Sequence, residues 1–273
     1  MYELTEVRKV FADGSAGLRG VTLAIGRGEQ VAFIGPSGAG KTTLFRVLNL
    51  TLRPTAGTLR LDGADVAAFS GRQLRRTRCR IGSIYQHHNL VGRLRVLHNV
   101  LAGKLGQWST LKALTSLVHS RHTDLATWAL HQVGIPEKLY ARTDALSGGQ
   151  QQRVAIARVL VQDPDVILGD EPISSVDPSL AMSIVTLLRD LSRETGKTLL
   201  MNLHSVDLAL NHFPRVVGIR EGRVQFDLSP AKVCGDVLEE LYAGDRTRGR
   251  EFEDAARRGA LVARGCRPLT IAP

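Results

Sequence analysis

The chain is poor in the features that mark several protein classes. No window approaches the roughly eighteen consecutive apolar residues that a membrane-spanning helix needs, so no such span is expected. Its cysteines are Cys79, Cys234 and Cys266, far apart and without paired spacing, which excludes a disulfide framework and a cysteine-built zinc site. Aromatic residues make up only 5% of the chain, too few among the arginines to suggest a surface that stacks nucleic-acid bases. The opening Met1-Tyr2-Glu3-Leu4-Thr5-Glu6 lacks the basic-then-apolar order of a secretory signal. A chain that stays in the cytoplasm is the expectation. There is no internal repeat and no low-complexity segment.

What is present points to an α/β protein. With 273 residues and 43% hydrophobic side chains, the chain can bury one sizeable core with a smaller appended lobe. The net charge is +10, and two arginine clusters stand out. One is Arg72, Arg75, Arg76, Arg78 and Arg80 in a short predicted helix. The other is Arg246, Arg248, Arg250, Arg257 and Arg258 in a tail that also carries Glu251, Glu253 and Asp254. Both read as solvated basic faces, with attraction to anionic headgroups beside a membrane partner as the alternative. Short β-rich runs occur at Leu4 to Val10, Val21 to Ile25, Gln30 to Gly35 and Thr58 to Leu61, separated by Gly and Asp-Gly turns. Helical patterning dominates from about His87 to Val161, including the run Leu125, Trp128, Ala129 and Gln132-Val133 and the run Gln150 to Val161. Val166 to Gly169 and Thr198 to Leu203 are near-continuous apolar runs, as expected of central parallel strands. Helical spacing in Ser183 to Leu191 separates them, and Val216 to Ile219 and Arg223 to Phe226 read as closing strands around a Glu221-Gly222 turn.

Two motifs carry the chemistry. Gly35-Pro36-Ser37-Gly38-Ala39-Gly40-Lys41-Thr42 follows a predicted strand and opens a predicted helix, the order that a phosphate-binding loop requires. Its glycines let the backbone wrap an anion, its N–H groups point at the negative charge, Lys41 adds a point charge for the β and γ phosphates, and Thr42 offers a hydroxyl to Mg²⁺ with Thr43 beside it. About a hundred residues later stands Leu146-Ser147-Gly148-Gly149-Gln150, followed by Gln151-Gln152-Arg153. As a local feature Ser147 is a helix cap, but the positive end of the helix it starts also suits a γ phosphate. Between the motif and the later strands, Asp170-Glu171 ends an apolar run, placing two carboxylates where open α/β sheets bind ligands.

These residues resemble the nucleotide-binding subunit of an ABC transporter, from about Tyr2 to about Gly244. The resemblance implies an α/β phosphate-loop NTPase of ABC type, with a mostly parallel sheet core, an N-terminal antiparallel β subdomain and an inserted helical subdomain. The implied boundaries are 1–86 and 162–244 for the ATP-binding core, 87–161 for the helical signature subdomain, and 245–273 for a charged tail. It implies that Asp170 holds Mg²⁺, mostly through water, and that Glu171 is the general base. Gln86 meets the metal and the reactive water, although one glutamine alone would mean little. His204 contacts the γ phosphate, where a lone histidine after a strand is otherwise structural. Phe11 stacks on adenine, where the family more often has tyrosine. Asp177 belongs to a loop crossing between partners, although an isolated Asp-Pro merely begins a helix. Ser147, Gly148, Gly149 and Gln150 complete the nucleotide site of a second copy rather than their own.

Within that family the best match is the phosphonate-import ATPase branch. It rests on Ile81 to Val91 with Arg93-Leu94 and Val96-Leu97, on Glu171 to Pro178, and on Asn202-Leu203-His204-Ser205-Val206-Asp207-Leu208-Ala209. His87-His88 and Ser205 depart from the branch's usual residues, and Gly169 stands where the family usually has Ala, a smaller residue expected to weaken the strand slightly. The branch implies ATP and Mg²⁺ as cofactors, a homodimer on integral-membrane permease subunits, an extracytoplasmic solute-binding protein, no nucleic acid, and a peripheral place on the cytoplasmic face of the membrane. An importer of another phosphate-like oxyanion and a soluble ABC-type ATPase stay open as alternatives. The stripe Leu111, Leu114, Leu117 and Val118 reads either as lobe packing or as permease contact.

Overall fold

The computed structural model describes residues 1–85, 89–109, 122–172 and 178–243. Strands β1 (Tyr2–Val10), β2 (Ala16–Ile25), β4 (Ala56–Leu61) and β5 (Ala64–Asp65) form an antiparallel sheet in the order β2-β1-β4-β5. Strands β3 (Gln30–Ile34), β6 (Ile81–Tyr85), β7 (Val166–Asp170), β8 (Thr198–Asn202), β9 (Arg215–Arg220) and β10 (Arg223–Leu228) form a second sheet in the order β10-β9-β3-β8-β7-β6. Every neighbouring pair in it is parallel except β9 and β10. That hairpin turns on Glu221 and Gly222, both with positive φ, 50° and 73°, the backbone that a tight two-residue turn demands.

The apolar runs become central strands because both faces of the parallel sheet are covered. Alternate residues of β3 sort onto opposite sides. Val31 and Phe33 join the antiparallel sheet and the helix Lys41–Leu48, where Phe33 meets Phe45 edge-on with ring centroids 5.4 Å apart. Ala32 and Ile34 face the second core, which includes Val100, Leu130, Val154 and Leu188. This second core draws on the helices Val96–Leu101, Thr123–Gln132, Gly148–Gln162 and Pro178–Thr195.

The structure corrects two readings of the sequence. In the helix Thr123–Gln132 the buried stripe runs through Ala126, Ala129 and Leu130 and on to Val133, whereas Trp128 lies 45% exposed. The i, i+3, i+4, i+7 spacing starts at Ala126, and Trp128 falls between its rows. The basic helix Gly71–Cys79 is not simply a solvated face either. Arg78 donates to the Leu50 carbonyl at 2.6 Å, and Arg80, just past the helix, pairs with Asp62 at 2.9 Å and Asp165 at 2.6 Å. Arg72, Arg75, Arg76 and Arg78 are all exposed. Cys79 and Cys234 are free, half-buried thiols. The stripe Leu111 to Val118, Cys266 and the tail lie outside the described residues.

Candidate nucleotide site

The loop Gly35 to Gly40 leaves the carboxyl end of β3 and enters the helix Lys41–Leu48. Two of its glycines are required by close approach. A Cβ on Gly35, at φ 150°, would fall 2.0 Å from the Ile219 carbonyl oxygen, and a Cβ on Gly40, at φ 99°, would fall 2.3 Å from the Gly17 carbonyl oxygen. Gly38, at φ 76°, has open space where its Cβ would be. The loop is also tied from outside, by the Gly222 N–H donating to the Ala39 carbonyl at 2.8 Å. Gly40 caps the helix in a left-handed conformation and makes no side-chain cap hydrogen bond. A helix start of this kind suits an anion.

Lys41 is nearly buried, and its Nζ donates to the carbonyls of Gly35 at 2.6 Å and Pro36 at 2.9 Å. Its ammonium therefore lies within the curl of the loop, where a phosphate would compete for it. Thr42 follows, its Oγ1 donating to Asp170 Oδ1 over a long 3.4 Å.

The acidic pair arrives by strand register. β7 and β8 pair Gly169 with Met201 and Asp170 with Asn202, and β6 and β7 pair Tyr85 with Asp170. Asn202 Nδ2 donates to Asp170 Oδ1 at 2.7 Å. Burial pushes the Asp170 carboxyl above its ordinary value, the hydrogen bond from Asn202 pulls it down, and the nearby charge of Glu171 raises it again. Glu171 sits at φ 54°, a backbone uncommon for a side chain of its kind, with its N–H donating to the Asn202 carbonyl at 3.2 Å. Its Oε1 lies 2.6 Å from His204 Nε2. Gly169, read from the sequence only as a weakening of the strand, has a packing reason: a Cβ there would come within 3.0 Å of Pro172 Cγ and 3.3 Å of Met201 Cγ.

Phe11 belongs to the same neighbourhood. A Cβ on Gly17 would meet Phe11 Cε2 at 2.8 Å and Thr43 Cγ2 at 2.9 Å, so the bare glycine lets the ring lie close to the start of the phosphate-loop helix. Lys9 Nζ stands 5.8 Å from the ring centroid.

Ser147 begins the helix Gly148–Gln162 with a capping box. Its Oγ accepts from the Gln150 N–H at 3.3 Å while Gln150 Oε1 accepts from the Ser147 N–H at 3.1 Å. Gly148 has open space in the direction of a Cβ, and a Cβ on Gly149 would meet Leu180 Cδ2 at 2.6 Å.

The structure thus brings together Phe11, the loop from Gly35 to Thr43, Asp170, Glu171 and His204, and it places Ser147 to Gln150 at a separate helix start. Gln86 and Asp177 lie outside the described residues. The reading of the sequence gave no role to Asn202 or Gly17. A polar residue closing an otherwise apolar strand opposite Asp170 was the available signal for the first; nothing local marks the second, whose neighbours come from residues 11 and 43.

A phosphate-type loop at the carboxyl edge of a parallel sheet, an acidic pair two strands away and a Ser-Gly-Gly-led helix define the class of ATP-binding cassettes. The family model described as ABC transporter matches residues 18–174, over half the chain, and the chain belongs to that family. Phosphonates import ATP-binding protein PhnC 3 of Halalkalibacterium halodurans is 44% identical over 242 residues, 89% of this chain and 94% of its own length. Phosphonates import ATP-binding protein PhnC of Pseudomonas fluorescens is 48% identical over 234 residues, 86% of this chain and 88% of its own. A solved dimeric ATP-binding cassette in a post-hydrolysis state, bound to ADP and Pi, superposes with a TM-score of 0.72 at 30% identity, over 84% of this chain and 99% of that one.

Proposed function

We propose that this chain is the ATP-hydrolysing subunit of a phosphonate importer, two copies of it working beneath integral-membrane permease subunits fed by an extracytoplasmic solute-binding protein. The observation that carries the hydrolytic half is the contact of Glu171 with His204 at 2.6 Å beside the Asp170–Thr42 pair. The transport half is supported by the 44% and 48% identity to phosphonate-import relatives over most of both chains.

In this reading the loop N–H groups and Lys41 hold the β and γ phosphates, Lys41 exchanging the carbonyls of Gly35 and Pro36 for phosphate oxygens. Phe11 offers a π face to adenine. Glu171 accepts the proton of the attacking water as the new O–P bond forms and the bond to ADP breaks, and His204 orients the water and the carboxylate. Gln86 and Asp177 keep their roles at the reactive water and at the partner copy. Among the described residues no three His, Cys, Asp or Glu side chains gather as a metal cluster. A hydroxyl and a carboxylate instead fit Mg²⁺, which takes few protein ligands and completes its shell with phosphates and water. When bound, the ion supplies charge neutralisation across the β and γ oxygens.

Ser147, Gly148, Gly149 and Gln150 of one copy complete the site of the other, so turnover is a property of the dimer. Residues 1–86 and 162–244 form the ATP-binding core, 87–161 the signature lobe that moves with closure, and 245–273 a tail. No described helix is long and apolar enough to cross a membrane. The chain is held at the cytoplasmic face through its permease.

The test is growth on an alkylphosphonate as sole phosphorus source, beside a phosphate control, in a strain where this gene serves the single phosphonate importer. Deletion abolishes phosphonate growth alone, and the intact gene restores it. Normal phosphonate growth of the deletion strain removes the proposed solute, and loss of growth on phosphate as well redirects it to a broader oxyanion.

A further inference from the structure

β8 is buried from end to end, and Asn202, its last residue, is 0% exposed. An amide so placed is costly unless both its polar atoms are hydrogen-bonded. Here only one is. Nδ2 donates to Asp170 Oδ1 at 2.7 Å, while Oδ1 has no hydrogen-bond partner among the described residues. A leucine of similar volume would continue the apolar run without leaving a buried acceptor unmatched. What leucine does not provide is a donor to the Asp170 carboxylate.

The direction of the amide follows from the same contact. Turned over, it would set its oxygen 2.7 Å from a carboxylate oxygen, a repulsive arrangement when Asp170 is ionised, as a cation-holding carboxylate is. The backbone of Asn202 holds the backbone of the other acidic residue, since its carbonyl accepts from the Glu171 N–H at 3.2 Å. One residue therefore grips both members of the acidic pair, and the chain reaches His204 two residues later.

We propose that Asn202 is a positioning residue for cation binding: its amide fixes the Asp170 carboxylate toward Thr42 and so sets the affinity of the site for a divalent ion in the presence of nucleotide. This rests on the reading of Asp170 and Thr42 as the residues that hold Mg²⁺. Partners of this kind, one bond removed from the ion, orient the ligand and typically change metal affinity tenfold or more when removed.

The experiment measures Mn²⁺ binding by electron paramagnetic resonance on the purified full chain with ATP present, together with ATP affinity in chelator. The variants are Asn202→Leu, Asn202→Thr and Asp170→Asn. The expected result for Asn202→Leu is Mn²⁺ affinity lowered by about tenfold with metal-free ATP affinity unchanged, and partial recovery in Asn202→Thr, which restores a donor. A merely structural role would lower both affinities together. If Asn202→Leu does not fold, Asn202→Ala, which removes the amide without adding bulk, carries the same comparison. Unchanged Mn²⁺ affinity in the folded variant, with Asp170→Asn strongly impaired, overturns the role of Asn202 alone. Unchanged affinity in Asp170→Asn overturns the assignment of the carboxylate on which it stands.

Discussion

The two motifs that frame the site are built in opposite ways. The phosphate loop is fixed by its own chain: Gly35 lies against Ile219, Gly40 against Gly17, Ala39 accepts from Gly222, and Lys41 is nearly buried among loop carbonyls. The Ser147 helix start closes on itself instead, Ser147 and Gln150 satisfying each other. A second helix in the same molecule has the identical device, with Ser70 Oγ accepting from the Gln73 N–H at 3.3 Å and Gln73 Oε1 accepting from the Ser70 N–H at 2.8 Å. What separates them is the next two residues, Gly71-Arg72 in one and Gly148-Gly149 in the other. Local hydrogen bonding therefore makes a helix start but does not make it a nucleotide contact. Gly148 and Gly71 both have open space toward a Cβ, while Gly149 lies against Leu180; only in the proposed dimer does the Ser147 start gain a nucleotide of the other copy.

The largest expected break lies on the loop side of the comparison. Glu171→Gln keeps size and shape but removes the proton acceptor, so phosphate release falls by about 10²- to 10⁴-fold while ATP stays bound; undiminished release in a colorimetric phosphate assay would defeat the assignment. Next comes Gly35→Ala, where a positive φ and a Cβ aimed at the Ile219 carbonyl combine to cost about 3 kcal/mol of stability. Gly38→Ala, with open space at its Cβ, costs about 1 kcal/mol. Calorimetry on the two variants separates close approach from backbone strain, and equal melting temperatures would show that the approach to Ile219 does not matter.

Lys41→Ala removes a charge-assisted contact to phosphate together with the bonds to the Gly35 and Pro36 carbonyls, and ATP affinity drops about 10- to 100-fold. Isothermal titration reads it directly, and unchanged affinity would count against the phosphate role. The smallest effect sharpens the comparison most. Ser70→Ala and Ser147→Ala each lose one capping bond, about 1 kcal/mol, so their melting temperatures fall alike. Only Ser147→Ala also lowers ATP turnover, by about tenfold. A matching loss of turnover in both would make Ser147 no more than a cap.

Much of the fold was legible in the residues because the central strands of the parallel sheet are apolar almost throughout. β3, β7 and β8 fell where the apolar runs of the sequence placed them, and the Glu221-Gly222 turn joined β9 to β10 as its residues required. The helical lobe was read less well. Trp128 was read within the helical run from Leu125 to Val133, but the buried residues of that helix are Ala126, Ala129 and Leu130, and Trp128 is exposed. Arg78 and Arg80 likewise looked like surface charge until Leu50, Asp62 and Asp165 arrived from other elements.

For the candidate site, the order strand, loop, helix around Lys41, the acidic pair at the end of an apolar run, and a serine-capped helix after Leu146 can all be read from the residues, because each depends on bonding between near neighbours in the chain. Folding at long range is what brings Asn202 to Asp170, His204 to Glu171, and Phe11 beside Thr43 in the room left by Gly17. Those contacts join residues far apart in the chain, and their partners are chosen by strand register and core packing, which no local pattern encodes.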